Sequence, residues 1–398
     1  MTETIENLRD FNYYQLSKDV NTSYVLAEYI WIDGTGEQLR SKTKVYQTQI
    51  KRLEDLEWWT YDGSSTDQAV TRFSEIYLKP VRVVKDPFRG DPHILVLCET
   101  YLPDKKTPAR YNFRWIANQI MEKARDHKPW FGIEQEYFLL KRTGTTHLWP
   151  LGWPTGGFPY PQGRYYCSIG ERNNFGRALA EAHLRACLNA GLKIAGLNAE
   201  VAPSQWEFQI GIAEGIEIGD HMWLARYILE RIGEEFGIDI NYDPKPILGD
   251  WNGSGAHCNY STVTTRSEGG YRYIVDKLMP ILKENHLEMI KLYGQKNELR
   301  LTGRHETGKY DQFTWGDGAR GCSVRVPIIT KEQGQGYFED RRPAANIDPY
   351  LVSAALVDVT CLNSEHLKQL NSIFEDSLKP LGQQIFQQQK EIFQQQKE

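Results

Sequence analysis

The chain has 398 residues, 40% of them hydrophobic and 25% charged, with a formal net charge of −5. That length exceeds one small core and argues for two domains with a sizeable buried interior. The acidic balance gives no electrostatic case for nucleic acid as a partner, and no apolar run is long enough to make a membrane one.

Residues 23–32 (SYVLAEYIWI) predict a strand closed by the turn Asp33-Gly34-Thr35-Gly36. Residues 42–47 (KTKVYQ) predict a second strand and 94–98 (ILVLC) a short buried one. The polar stretch 104–109 (DKKTPA) marks a boundary between a domain of 1–108 and a larger one of 109–398. Residues 114–124 then predict a helix and 130–140 (WFGIEQEYFLL) a strand. Helices follow over 178–190, ended by Gly191, and over 221–235, ended near Gly237. Residues 270–292 predict one or two more, interrupted by Pro280. Strands and helices mix without a βαβ rhythm, which points to an α+β architecture. The Gly/Pro-rich segments 152–163 and 249–255 read as loops that let backbone approach a ligand. The heptapeptide IFQQQKE occurs twice, at 385–391 and 392–398, and reads as a peripheral tail without chemistry.

Cys98, Cys167, Cys187, Cys258, Cys322 and Cys361 form no CxxC pair, and residues 1–16 show no basic segment followed by an apolar run. A reduced, cytoplasmic chain with cysteines as small core residues is expected.

The sharpest local signal is Glu134-Gln135-Glu136. Side chains alternate on a strand, so Glu134 and Glu136 share one face of an otherwise apolar segment. Either a cation or basic group neutralises the pair, or the strand is an edge facing water. In 198–210 (NAEVAPSQWEFQI), Pro203-Ser204 suits the middle of a tight turn. Tight pairing of its flanks opposes Ala202 to Gln205, Val201 to Trp206 and Glu200 to Glu207. Opposed like charges need a shared cation, unless the segment is a loose loop with solvated carboxylates. His257, Asn259 and Ser261 share a strand face in 255–263, with His257 either a ligand or a satisfied core residue. With Glu339 in YFEDRR, the candidate ligands are Glu134, Glu136, Glu200, Glu207, Glu339 and His257. Oxygen-dominated ligands suit Mg²⁺ or Mn²⁺, ions that bridge nucleotide phosphates during phosphoryl transfer. Arg300, Arg304, Arg320, Arg325, Arg341 and Arg342 supply forks for phosphate and carboxylate, or are in part surface charges. Neither a P-loop nor a GxGxxG fingerprint is present, so ATP would bind on another scaffold.

These segments resemble type II glutamine synthetase, the eukaryotic form. The resemblance runs in order through 31–34 (WIDG), 61–66 (YDGSST), 76–80 (IYLKP), 130–137, 152–166, 198–209, 249–257, 300–306 (RLTGRHE) and 337–350. It implies a small N-terminal β-grasp domain and a large catalytic domain with a curved antiparallel sheet flanked by helices. It implies ATP-dependent ligation of ammonia to L-glutamate through γ-glutamyl phosphate. It further implies a homo-oligomer, a decamer of two pentameric rings with active sites between subunits. By the resemblance, Glu136, Glu200 and Glu207 hold the metal nearer glutamate, and Glu134, His257 and Glu339 the metal nearer ATP. Asp62 binds ammonium and takes its proton; Glu306 shields the acyl phosphate. Arg300, Arg320 and Arg341 hold glutamate or the transferring phosphoryl group, and Asp250, Trp251 and Gly253 form the glutamate loop. Arg325, Asn259, Ser261 and Tyr337, with Glu134 and Glu207, attend the nucleotide.

Four positions depart from the family pattern: Arg164, Asp317, Ala319 and Cys322. The charge of Asp317 is expected to weaken nearby phosphate binding. A structural relative without chemistry would lack a ligand or the flap residue, and all are present. A guanidino kinase, which shares the catalytic fold, is disfavoured by the Asp62 loop and the 300–306 flap.

Overall fold

The structure is a computed structural model that describes residues 24–143, 147–154, 156–159 and 163–380. The N-terminal stretch and the duplicated heptapeptide lie outside the described residues. Chain contacts separate two compact units. One holds 24–117 with 366–380, the other 118–365.

In the first unit, β1 (Val25–Ile32), β2 (Leu39–Tyr46), β3 (Trp59–Asp62), β4 (Glu75–Lys85) and β5 (Ile94–Tyr101) form one sheet ordered β2-β1-β5-β4-β3. The β1–β5 pair is parallel and the other pairs are antiparallel. Its core gathers Tyr29, Trp31, Tyr61, Ile76, Leu78 and Val96. The three strands expected here are present, and two extend beyond their expected ends. The polar stretch 104–109 opens with a turn in which Asp104 accepts from the Lys106 and Thr107 amides. Helix α1 (Arg114–Lys123) follows it.

The second unit is built on a sheet whose middle strand is β6 (Trp130–Thr143). After it come β7 (His147–Pro150), α2 (Arg177–Ala190), β8 (Ile194–Ala199), β9 (Gln205–Glu214), α3 (Glu217–Phe236), β10 (Asp239–Asn241) and β11 (Ala256–Ser261). The short helices α4 (Gly270–Tyr273), α5 (Met279–Glu284) and α6 (His286–Ile290) precede β12 (Trp315–Asp317), β13 (Val324–Val326), α7 (Ile328–Gln333), β14 (Phe338–Asp340) and α8 (Pro349–Cys361). The sheet order is β12-β13-β14-β11-β6-β9-β8, with β7 and β10 also on β6. Only β12–β13 is parallel among these pairs. Helix α8 is buried along nearly its whole length, as an all-round apolar helix must be. It packs on α3, where the Tyr350 hydroxyl donates to Asp220 at 2.7 Å. The last described helix, α9 (Leu367–Leu378), belongs to the first unit, where Phe374 meets Phe113. Among the described residues, no helix is long and apolar enough to cross a membrane.

Two local expectations change. Pro280 does not interrupt a helix. It stands in the first turn of α5, directly after a π-helical turn over Ile274–Leu278, where a missing N–H is tolerated. The β8–β9 hairpin is looser than expected. Pro203 and Ser204 do form the turn, with Ser204 left-handed (φ 61°) and Gln205 N donating to Ala202 O at 3.1 Å. The ladder, however, pairs Ala199 with Trp206 and Asn198 with Glu207. The slip is two residues, and an even slip leaves every side chain on its face.

Candidate active site

Strand parity and pairing build the site together. Glu134 and Glu136 lie on one face of β6, which is central in the sheet and not an edge. Across β9, Glu136 opposes Glu207 and Glu134 opposes Gln209. Across β11, Glu134 opposes His257. Asn259 opposes Glu339 on β14, and Arg325 on β13 opposes the same Glu339. The run Glu339-Asp340-Arg341-Arg342 alternates accordingly. Glu339 and Arg341 line the cavity, while Asp340 and Arg342 pair with each other in the interior at 2.7 Å.

The cavity on this face measures about 660 Å³. Its walls include all six expected ligands, together with Gly253, Arg300, Glu306, Arg320, Arg325 and Arg341. Glu134, His257 and Glu339 offer ligand atoms that all lie within 4.8 Å of one another. His257 Nδ1 stands 3.4 Å from Glu134 and 3.5 Å from Glu339. Burial, with Arg341 and Arg300 nearby, holds the ring well below its usual pKa, so it is neutral and fit to ligate. Arg325 and Arg341 donate to the two oxygens of Glu339 at 2.8 and 2.5 Å.

Glu136, Glu200 and Glu207 gather beside this trio. Glu136 accepts from Gln205 Nε2 at 2.9 Å and from the Gly255 amide at 3.0 Å. A Cβ at Gly255 would stand 2.4 Å from the Arg300 guanidinium, so glycine leaves room for that group beside the loop. Gln209 donates to Glu207 and to Asn198, and Asn198 donates to Glu200 at 2.8 Å. Burial pushes Glu136 up to about 7 and Glu200 up to about 8, and Glu207 well above its usual value. Neighbouring carboxylates add to each. Such a cluster is stable when protons or cations neutralise it.

A second cavity of about 510 Å³ shares Glu134 and Gln209 with the first. Asn259, Ser261 and Tyr337 line it, and Arg266 stacks on Trp130 at 3.8 Å. Arg266 also donates to Ser261 Oγ at 2.8 Å.

Residues 24–103 match the family description "Glutamine synthetase, beta-Grasp domain", and residues 110–269 match "Glutamine synthetase, catalytic domain". A glutamine synthetase of Suillus bovinus is 51% identical over 358 residues, covering 88% of this chain and 99% of that protein. One of Hebeloma cylindrosporum is 52% identical over 340 residues, covering 85% and 94%. A chloroplastic one of Brassica napus is 50% identical over 343 residues, covering 86% and 79%.

The chain belongs to the glutamine synthetase family. Residues 24–103, which carry the five-stranded sheet, match its β-grasp domain, and residues 110–269, which carry β6 to β11 of the curled sheet, match its catalytic domain. Within this glutamine synthetase fold the 249–255 loop divides its work. Gly253 and Asn252 line the cavity, Trp251 is buried against Phe138 and Trp153, and Asp250 points to His305. Asp62 ends β3 in the other unit, where it accepts from Ser64 and Ser65 hydroxyls at 2.6 Å. Asp317 is not among the walls of the larger cavity. It receives Lys331 at 2.6 Å and the Tyr271 hydroxyl at 3.1 Å. Cys322 is buried and donates to the Ala319 and Val324 carbonyls. Arg164 is exposed.

Sequence reading missed Asn198, Gln209 and Asn252. Parity held the signal for Gln209, which lies two residues beyond Glu207. Parity held it for Asn198 too, which lies two residues before Glu200.

Proposed function

We propose that the larger cavity binds L-glutamate, ammonium and the terminal phosphate of ATP around two divalent cations, with roles distributed as the family resemblance assigns them. The reaction is the ATP-dependent ligation of ammonia to L-glutamate. ATP phosphorylates the γ-carboxylate, ammonia displaces phosphate from γ-glutamyl phosphate, and L-glutamine, ADP and phosphate are released.

Glu134, His257 and Glu339 would hold the cation nearer ATP, and Glu136, Glu200 and Glu207 the one nearer glutamate. Five carboxylates and one neutral imidazole fit a hard ion, Mg²⁺ or Mn²⁺, better than a structural zinc. When bound, such ions neutralise the converging carboxylates and stabilise charge on the transferring phosphoryl group. Arg320 and Arg341 orient that group, and Arg300 receives the glutamate carboxylate beside Gly253. Asp250 and Trp251 shape the glutamate loop, and Glu306 shields the acyl phosphate from water. Asp62 attracts ammonium and accepts its proton. Arg325, Asn259, Ser261 and Tyr337 hold the nucleotide, whose base stacks in the second cavity beside Trp130 and Arg266.

The observation that carries this reading is the tight Glu134–His257–Glu339 trio next to three buried carboxylates of raised pKa. The test is ATP-, glutamate- and ammonia-dependent phosphate release by the purified protein and by Glu136→Ala. Activity in the parent and a loss of at least about a hundredfold in the variant are expected. Near-normal turnover of Glu136→Ala in saturating Mg²⁺ refutes the assignment.

The domain line is placed at 108/109, and the working form as a cytoplasmic decamer of two pentameric rings that share active sites between neighbouring subunits. Neither nucleic acid nor a membrane is a partner. Dissociated monomers should be inactive, and an active monomer in sedimentation with assay contradicts the shared site.

A further inference from the structure

Residues 303–308 (GRHETG) border the larger cavity, with His305, Glu306 and Thr307 among its walls. The backbone is left-handed at Gly303 (φ 76°), His305 (φ 53°) and Glu306 (φ 61°). Glycine adopts this freely. For consecutive histidine and glutamate it is a sparsely populated state that lasts only where neighbours hold it. The base of the loop is tied by Thr307 Oγ1, which donates to the Arg304 carbonyl at 2.7 Å and the Arg300 carbonyl at 3.2 Å. At the tip, Arg341 Nη2 donates to the Glu306 carbonyl at 3.3 Å. His305 Nε2 stands 2.8 Å from Asp250 Oδ1, and Arg304 Nη1 reaches the same oxygen at 3.5 Å. The Asp250 side chain is 75% exposed and is not among the cavity walls. Its neighbour Trp251 is anchored from below, with Lys245 donating to the Trp251 carbonyl and lying 4.2 Å from its ring.

We propose that Asp250 acts through His305: their contact is a latch that holds the 303–308 loop closed and places the Glu306 carboxylate over the reacting centre. The chemical consequence rests on reading Glu306 as the shield of the acyl phosphate. With the latch open, water attacks the acyl carbon of γ-glutamyl phosphate in place of ammonia. The acyl–oxygen bond to phosphate breaks, phosphate leaves, and glutamate is regenerated with ATP spent and no glutamine made. His305 and Asp250 are thus positioning residues.

The test uses the full chain and five variants: His305→Ala, Asp250→Ala, the double variant, Glu306→Ala, and His305→Gln, which keeps an N–H near the place of Nε2. Hydrogen exchange of the 303–308 amides, read by mass spectrometry, needs no activity. Exchange about three- to tenfold faster is expected in both alanine variants, with no further gain in the double and near-parental rates in His305→Gln. The ratio of phosphate released to glutamine formed should rise from about one to about two or more in the same alanine variants. Unchanged exchange in both single variants, or fully additive effects in the double, overturns the latch. Faster exchange with a ratio that stays at one even in Glu306→Ala upholds the latch and refutes the reading of Glu306.

Discussion

Arg300 Nη2 stands 3.2 Å from His257 Nε2, while Nδ1 of the same ring faces Glu134 and Glu339. A guanidinium only donates, so Nε2 is the acceptor and the ring proton sits on Nδ1. Were His257 to hold a cation through Nδ1, its proton would have to sit on Nε2, facing the Arg300 donor. On the proposed roles, metal uptake and release of Arg300 toward substrate would therefore be linked. Arg300→Met should tighten Mn²⁺ binding, on the order of tenfold, while weakening glutamate binding. Paramagnetic titration with Mn²⁺ reads the first effect, and weaker Mn²⁺ binding in the variant sinks the linkage.

Metal uptake should also displace protons. Glu136 and Glu200 are pushed up to about 7 and about 8, chiefly by burial, so near neutrality they carry protons that a cation must replace. Apparent metal affinity then falls as pH drops from about 8 to about 6, by about tenfold per unit for each proton displaced. Calorimetry at pH 7 in two buffers of different ionisation enthalpy should show release of about one to two protons. No release at that pH contradicts the raised values.

The Asp62 carboxyl is held below its usual range by the Ser64 and Ser65 hydroxyls and the Ser64 amide. It is ionised throughout the neutral range, as its proposed ammonium-binding role requires. Asp62→Ala should lower amide formation about a hundredfold and leave ATP affinity within about twofold. A nucleotide-binding defect of the same size would count against the role.

Glu230 on α3 tests burial away from the cavity. Burial, with Asp239 and Glu234 adding, raises it from 4.5 to about 8. The folded state thus keeps a proton that the unfolded state loses, and stability falls as pH rises from about 4.5 to about 8. Glu230→Gln should match the parent near pH 5 and exceed it near pH 8.5 by about 1–2 kcal/mol, a rise of about 2–5 °C in Tm. The same Tm difference at both pH values disproves the shift.

Local pattern carried much of the site. Alternation alone put Glu134 with Glu136 and His257 with Asn259, because a strand's side-chain period does not depend on its partners. It also put Pro203-Ser204 in the turn, since the fixed φ of proline suits the middle of a tight turn. Local pattern could not show that Asp317 is answered by Lys331, fourteen residues on and across another element, nor that Asp250 engages His305.

Chain order and composition by themselves determined which faces the acidic residues occupy and which family the molecule resembles. Tertiary structure alone decided which of them meet: Glu136 with Glu207, Glu134 with His257, and Asn198, in place of Glu200, opposite Glu207. The reason is that register is a property of two strands and not of one. The predicted hairpin survived its error because a slip of two residues preserves the face, whereas a slip of one would have turned Glu200 away from the cavity.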